Sequence, residues 1–276
     1  MLTEEQRKNR LNGIGASDSA IIMGFSTYKT PYELYLEKTG LVSIDEDKET
    51  EQQYWGNKLE AVVLQHFAEH NDVEVTTPDT VYHKDYPFIF ANLDGFCPEL
   101  NAVIEIKCSS SFMKSTWDEA QEDGIPMQYL IQIAKQVAIV DAQVGFCAVL
   151  IGGNEYRQYT YERDKDLENM ILDADIKFWG CVANKIEPEP ITISDLVIKY
   201  PKSTHASIPC DSNIIWDIES VRQERDKIKI HEQNLEKYKM KIMSYMKHAD
   251  CIVDADNIPI ATWKQNKRGS RTFLIK

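Results

Sequence analysis

Glu105 and Lys107 stand two residues apart in the stretch VIEIKC, residues 103–108, whose Val and Ile residues read as a β-strand. Strand side chains alternate faces, so Ile104 and Ile106 point one way and Glu105 and Lys107 the other. An acid and a base side by side on one face are either a solvated ion pair or the edge of an active site. The acid-x-Lys pattern itself is cheap. It occurs at Glu46 and Lys48, at Glu105 and Lys107 and at Asp175 and Lys177, and only the middle instance sits on an apolar strand. Asp94, eleven residues before Glu105, ends another apolar run just before Gly95. Alone it reads as an ordinary turn, but a hairpin would bring the two carboxylates to one side of adjacent strands. Two converging carboxylates can hold Mg²⁺, a hard cation that takes oxygen ligands, and the carbonyl of Ile106 could add a third donor. Such an ion lowers the pKa of bound water and neutralises charge on a scissile phosphate. Lys107 would orient the attacking water or stabilise developing charge.

The elements that must carry these residues are legible around them. Residues 73–108 read as several short strands, VEVTT, TVYHKD, FIFANLDGF and VIEIKC. MQYLIQIAKQVAIV is a helix, GFCAVLIGG a fully apolar strand, EYRQYTYER an alternating strand, and residues 165–185 a closing helix. Upstream, YWGNKLEAVVLQHFAEHN is helical, with an apolar stripe of Leu59, Val62, Val63 and Phe67 and with Glu60 beside it. Ser17 and Asp18 are candidate N-caps of a short helix through Met23, and Pro31 opens another. The order helix, strands, helix, strands, helix predicts an α/β core with a mixed sheet.

The Pro-containing stretch at residues 187–195 marks a boundary, placing one domain at 1–190 and a C-terminal arm at 191–276. The arm opens with one long helix over about residues 213–247, which spans roughly 50 Å. Ile214, Val221, Ile228, Leu235 and Ile242 repeat every seven residues, but the companion positions are polar in the middle, so the heptad pattern is half-formed. It predicts an arm that packs on its own domain or on a neighbouring subunit. A short hairpin and a basic tail are expected to follow. Residues 263–276 hold five Lys or Arg and no acid, so Lys264, Lys267, Arg268 and Arg271 are candidate DNA-backbone contacts.

The 276-residue chain is 43% hydrophobic and 27% charged, an ordinary globular composition. Its net charge of −13 taken alone argues against nucleic acid, yet a local basic surface can coexist with an acidic whole. No apolar run approaches the roughly 18 residues of a membrane span, the charged N-terminus is no signal peptide, and the six cysteines include no Cys-x-x-Cys pair. A cytoplasmic protein with reduced thiols is expected.

Asp94-x10-Glu105-x-Lys107 resembles the core of the PD-(D/E)xK nucleases. RLNGIGASD near the N-terminus, WGNKLE on the first long helix and YLIQ after the catalytic strand resemble, in family order, the motifs of the YqaJ-like viral recombinase group to which phage lambda exonuclease is related. The resemblance covers roughly residues 10–165. It implies a Mg²⁺-dependent deoxyribonuclease, with Mn²⁺ as a substitute, acting as a 5′→3′ exonuclease on double-stranded DNA ends in phage-type recombination. It further implies a single-strand annealing partner protein and a ring-shaped trimer. Residue by residue, it implies Asp94 and Glu105 as metal ligands, Lys107 as the catalytic lysine, Glu60 in the acidic cluster, Gln132 beside the phosphate, and Arg10 and Ser17 on a 5′-terminal phosphate. Asn92 departs from the family where some members place a phosphate-contacting Ser. The competing readings are a structure-specific endonuclease of the same superfamily and a catalytically inactive DNA- or protein-binding module.

Overall fold

The computed structural model describes residues 10–42 and 50–276. By internal contacts the chain divides into Met1–Lys202 and Ser203–Lys276.

The first unit begins with two short helices, α1 (Asp18–Ile22) and α2 (Pro31–Lys38). Thr30 and Glu33 close a capping box around Pro31, so the start of α2 is satisfied at its orphan N–H groups. A 21-residue helix, α3 (Glu51–Asn71), follows. Next come a two-stranded ladder, β1 (Val81–Tyr82) with β2 (Phe90–Ala91), and the short strand β3 (Gly95–Cys97). The central sheet has the order β3-β4-β5-β6, with β4 (Ala102–Ser109), β5 (Val144–Ile151) and β6 (Glu155–Glu162). It is mixed: β3 runs antiparallel to β4, β4 parallel to β5, and β5 antiparallel to β6. The parallel pair requires a crossover, which is made by a 3₁₀ turn (Ser111–Met113), α4 (Lys114–Asp123) and α5 (Met127–Val140). Helices α6 (Lys165–Asn184) and α7 (Ile193–Lys199) complete the unit. Thr30 donates to Asp195 at 2.7 Å, tying α7 to the start of α2.

The alternation along β4 sorts its neighbours. Ala102, Ile104 and Ile106 pack with Val63 and Phe67 of α3. Val103 packs with Ile131, Ile133, Ala134 and Val137 of α5. Glu105, on the Val103 face, therefore points at α5. On α3 the buried positions are Val63 and Phe67, with Leu64 packed beside them, whereas Val62 is exposed. The apolar stripe is thus rotated from the expected one, and Glu60 falls on its line at the 60, 63, 67 spacing. Of the expected strand at residues 73–77, only an isolated bridge from Thr76 to Phe96 forms.

The second unit holds the 35-residue helix α8 (Ser212–Met246), about 52 Å long, on which Ile214, Val221, Ile228 and Leu235 are exposed. A three-stranded antiparallel sheet follows: β7 (Cys251–Val253), β8 (Pro259–Gln265) and β9 (Arg271–Ile275). The expected hairpin is its first two strands. The expected tail is a strand instead, because Asn266 and Gly269, the latter at φ +87°, build a tight turn that returns the chain onto β8.

Candidate active site

Asp94 sits at the residue before β3, and the antiparallel pairing sets Gly95 opposite Ile104. Its Oδ2 accepts the Ile106 backbone N–H at 2.7 Å, which fastens the carboxylate to β4 beside Glu105. Gly95 has a steric reason to be glycine: a Cβ there would lie 2.6 Å from Leu64 Cδ1 of α3.

Glu105 is 2% exposed, and three side chains hold it. Gln132 Nε2 donates to Oε1 at 2.6 Å, Gln136 Nε2 donates to Oε2 at 2.7 Å, and Lys107 Nζ lies 2.5 Å from Oε1. Gln132 and Gln136 are one turn apart on α5, so a single helix face presents one amide donor to each carboxylate oxygen. Lys107 Nζ also donates to Gln132 Oε1 at 3.1 Å. Its ammonium stands 5.0 Å from the Tyr129 ring centroid, and that ring stacks on Trp117 at 5.3 Å. Trp117 in turn donates to Ser109 Oγ at the end of β4. Lys107 is thereby oriented by α5, whose Tyr129 is backed by Trp117 of α4.

The electrostatics follow from this crowding. Burial pushes the Asp94 carboxyl well above the usual carboxylate range, and the charge of Glu105 adds to the push. Glu60, half-buried on α3, is raised by the same two causes in the same order. Burial works against the Lys107 ammonium, but Glu105 and Asp94 outweigh it and hold its pKa above the ordinary lysine range. An ammonium so placed is suited to stabilising negative charge.

Among the described residues, no three His, Cys, Asp or Glu side chains converge as a metal cage. The donor set fits a different habit. Mg²⁺ keeps several waters and is held by one or two carboxylates together with substrate phosphate oxygens. Asp94, fastened to the Ile106 N–H, and Glu105 supply two neighbouring carboxylates, and among the described residues the Lys107 ammonium pairs with Glu105.

A model of the YqaJ-like viral recombinase domain matches residues 6–143. The uncharacterized protein YqaJ of Bacillus subtilis (strain 168) is 31% identical over 228 residues, covering 82% of this chain and 70% of that protein. The chain belongs to the YqaJ-like viral recombinase family. Its fold is shared with solved exonucleases. An alkaline exonuclease (LHK-Exo) from Laribacter hongkongensis superposes with a TM-score of 0.56 at 21% identity, covering 67% of this chain and 95% of that one. The same enzyme in complex with dAMP gives 0.56 at 20%, covering 72% and 98%. A phage-related exonuclease from Haemophilus somnus 129PT gives 0.52 at 16%, covering 65% and 99%.

The family's N-terminal motif forms a tight turn. Ser17 occupies the N-cap position of α1, but its hydroxyl makes no capping bond and the residue is exposed. Asp18 does the local work, accepting the Gly15 N–H at 3.0 Å and the Lys38 ammonium at 2.7 Å. Lys38 also donates to the Arg10 carbonyl, while the Arg10 residue is exposed. Asn92 accepts a hydrogen bond from Thr80 at 2.7 Å.

Two features of α5 escape the sequence reading. One is Gln136, which the i+4 spacing from Gln132 could have revealed. The other is Lys135, fully buried and paired with Asp175 of α6 at 2.7 Å. In the second unit, Lys264 is exposed on β8, and Lys267 and Arg268 are exposed on the turn. Arg271 differs: its guanidinium donates to the carbonyls of Trp263, Lys247 and Ala249 and lies 3.7 Å from the Trp263 ring centroid. That set of bonds makes Arg271 a strut of the small sheet. No helix among the described residues is long and apolar enough to cross a membrane.

Proposed function

We propose that this chain is a metal-dependent deoxyribonuclease that degrades double-stranded DNA from its ends, 5′→3′, leaving 3′ single strands for an annealing protein. The observation that carries the reading is the convergence of Asp94, Glu105, Lys107 and Gln132 along strand β4. Family membership supports it, as do the solved neighbours named as exonucleases, one of them holding dAMP.

Asp94, Glu105 and the Ile106 carbonyl would hold Mg²⁺, or Mn²⁺ in its place. When bound, the ion would supply a water of lowered pKa and neutralise charge on the scissile phosphate. Lys107, released from Glu105 Oε1, orients the attacking water and offsets the charge that builds on the phosphate. Gln132 keeps Glu105 in place and offers its amide beside the phosphate. Glu60 adds negative charge to the cluster. Arg10 and Ser17 take the 5′-terminal phosphate at the turn before α1, which sets the scissile bond by position. Lys264, Lys267 and Arg268 take backbone phosphates without sequence preference. A trimeric ring suits this activity, because a threaded duplex is not released between cleavages.

The test is degradation of linear duplex labelled at either the 5′ or the 3′ terminus, alongside a covalently closed circle, with and without Mg²⁺. The expected result is metal-dependent release of 5′-terminal mononucleotides from linear DNA, an intact circle, and no activity in Asp94→Ala or Glu105→Ala. Cleavage of the circle would establish an endonuclease instead. Activity retained in either alanine variant would remove the assignment.

A further inference from the structure

The chain buries a complete ammonium–carboxylate pair that the chemistry above does not use. Lys135 and Asp175 are both 0% exposed. Lys135 Nζ lies 2.7 Å from Asp175 Oδ2 and donates to Ser19 Oγ at 3.0 Å, to the Gly15 carbonyl at 2.8 Å and to the Ile14 carbonyl at 3.1 Å. Ser19 Oγ completes the knot by donating to both Asp175 oxygens at 2.9 Å. Of the other acceptors, the Ile14 and Gly15 carbonyls belong to the turn that carries Ser17, and Ser19 lies in the first turn of α1 that follows it.

That turn is held from two other sides. Ile14 exchanges backbone hydrogen bonds with Phe88 and Phe90, at 2.7 and 3.1 Å. Gly13 approaches so closely that a Cβ would lie 2.3 Å from the Phe88 carbonyl oxygen. Asp18 takes the Gly15 N–H and the Lys38 ammonium. What is left outside is the exposed Ser17 side chain.

The other end of the connection is the site itself. Successive residues of a helix differ by about 100° around its axis, so Lys135 and Gln136 address different neighbours. Gln136 grips Glu105, and Lys135 grips the turn. One rigid helix thus sets the distance between the catalytic carboxylate and the turn read above as a phosphate anchor. A buried ion pair is a poor way to gain stability, since well-packed apolar residues of similar volume are often neutral or better. What an ammonium shared among two carbonyls, a hydroxyl and a carboxylate provides is direction.

We propose that Lys135, through its pair with Asp175, is a positioning residue that registers the end-binding turn against Glu105. The proposal rests on the reading of that turn as the 5′-phosphate anchor.

The test is the ratio of initial rates on linear duplexes with 5′-phosphate and 5′-hydroxyl ends, for wild type and for the full-length double variant Lys135→Met/Asp175→Leu, which leaves no lone buried charge. Val182→Ala, in the packing of α6 on α2, serves as a destabilised control. The expected result is a folded double variant whose rate on phosphorylated ends falls about tenfold or more. Its rate on hydroxyl ends should be little changed, so the ratio approaches one, while the control keeps the wild-type ratio. If both rates fall in equal proportion, or the ratio survives, the positioning role is overturned. Should the double variant fail to fold, Ser19→Ala removes one hydroxyl from the knot. It is expected to lower the ratio, and an unchanged ratio overturns the proposal equally. A wild-type ratio of one refutes the phosphate anchor and the registration with it. A wild-type preference that persists in the variants refutes the registration alone.

Discussion

Replacing Gln136 with Leu removes the amide that holds Glu105 Oε2 while nearly preserving volume. The cost to stability has two opposing parts. A buried hydrogen bond of 2.7 Å to an ionised carboxylate is lost, worth about 1.5–3 kcal/mol. Against this, Gln136 Oε1 is buried with no hydrogen-bond partner among the described residues, and removing such an orphan acceptor returns about 1–3 kcal/mol. The net change is expected to lie between a loss of about 2 kcal/mol and a gain of about 1.5 kcal/mol. Activity should not be spared. With only Gln132 and Lys107 left on Oε1, the carboxylate is free to turn about its last torsion, and loss of an outer hydrogen-bond partner of a ligating residue typically costs about 10–100-fold. Urea unfolding gives the first quantity, and initial rates on linear duplex under saturating Mg²⁺ give the second. Turnover within about twofold of wild type would show that Gln136 does not orient Glu105, and a stability loss above about 3 kcal/mol would show that Oε1 is not an orphan.

Lys107→Arg should lose most turnover yet still bind metal by calorimetry, because the broader guanidinium cannot occupy the same point against Glu105 and Gln132; wild-type turnover would refute the assigned role. Burial raises the Asp18 carboxyl, but Lys38, the charge of Lys135 and the Gly15 N–H together outweigh it and hold the pKa below the ordinary value of 3.8. Its ionised form therefore stabilises the fold above that value, and this stability is lost as pH falls through the lower folded pKa. Thermal melts between pH 6 and pH 3 should show wild type approaching Asp18→Asn as acid is added; a constant gap would contradict the sign. Arg271→Ala should cost at least about 1.5 kcal/mol, read as faster amide hydrogen exchange across residues 251–275. Alanine at Lys264, Lys267 or Arg268 should each lower the log–log salt slope of DNA binding by about 0.9; an unchanged slope would free that residue of a phosphate.

The long apolar elements were legible because their periodicity is strong. Helix α5 over residues 127–140, strand β5 and helix α6 follow from the apolar pattern alone. So does the hairpin that brings Asp94 beside Glu105, since alternation on β4 sets which side chains share a face. The pattern fails where one position decides. Val62 and Leu64 both look apolar on α3, and choosing Val62 for the stripe displaced Glu60 from the buried line. Gln136 carries only one signal, its one-turn spacing from Gln132, because an amide inside an apolar helix reads as a solvated residue until its acceptor is known. Asp175 stands out in the sequence only as one instance of the acid-x-Lys pattern, whereas its partner is Lys135, on another helix. Such pairings depend on packing between distant segments, which no local window contains. The charge of the last residues masks strand β9, although Asn266 and Gly269 carry the turn signal before it.

Helix α5 distributes its duties among adjacent positions, and this has a consequence for how the gene can change. A single-codon insertion or deletion between residues 127 and 131 would rotate the downstream part of the helix by about 100°. A one-residue deletion would carry Gln136 into the place of Lys135, setting an uncharged amide against Asp175. An insertion would carry Lys135 into the place of Gln136, setting a second ammonium against Glu105. Either event breaks both networks at once, while the apolar residues around them could still find a buried face. Length variation should therefore be absent from this helix among active relatives and should collect in the connections outside it.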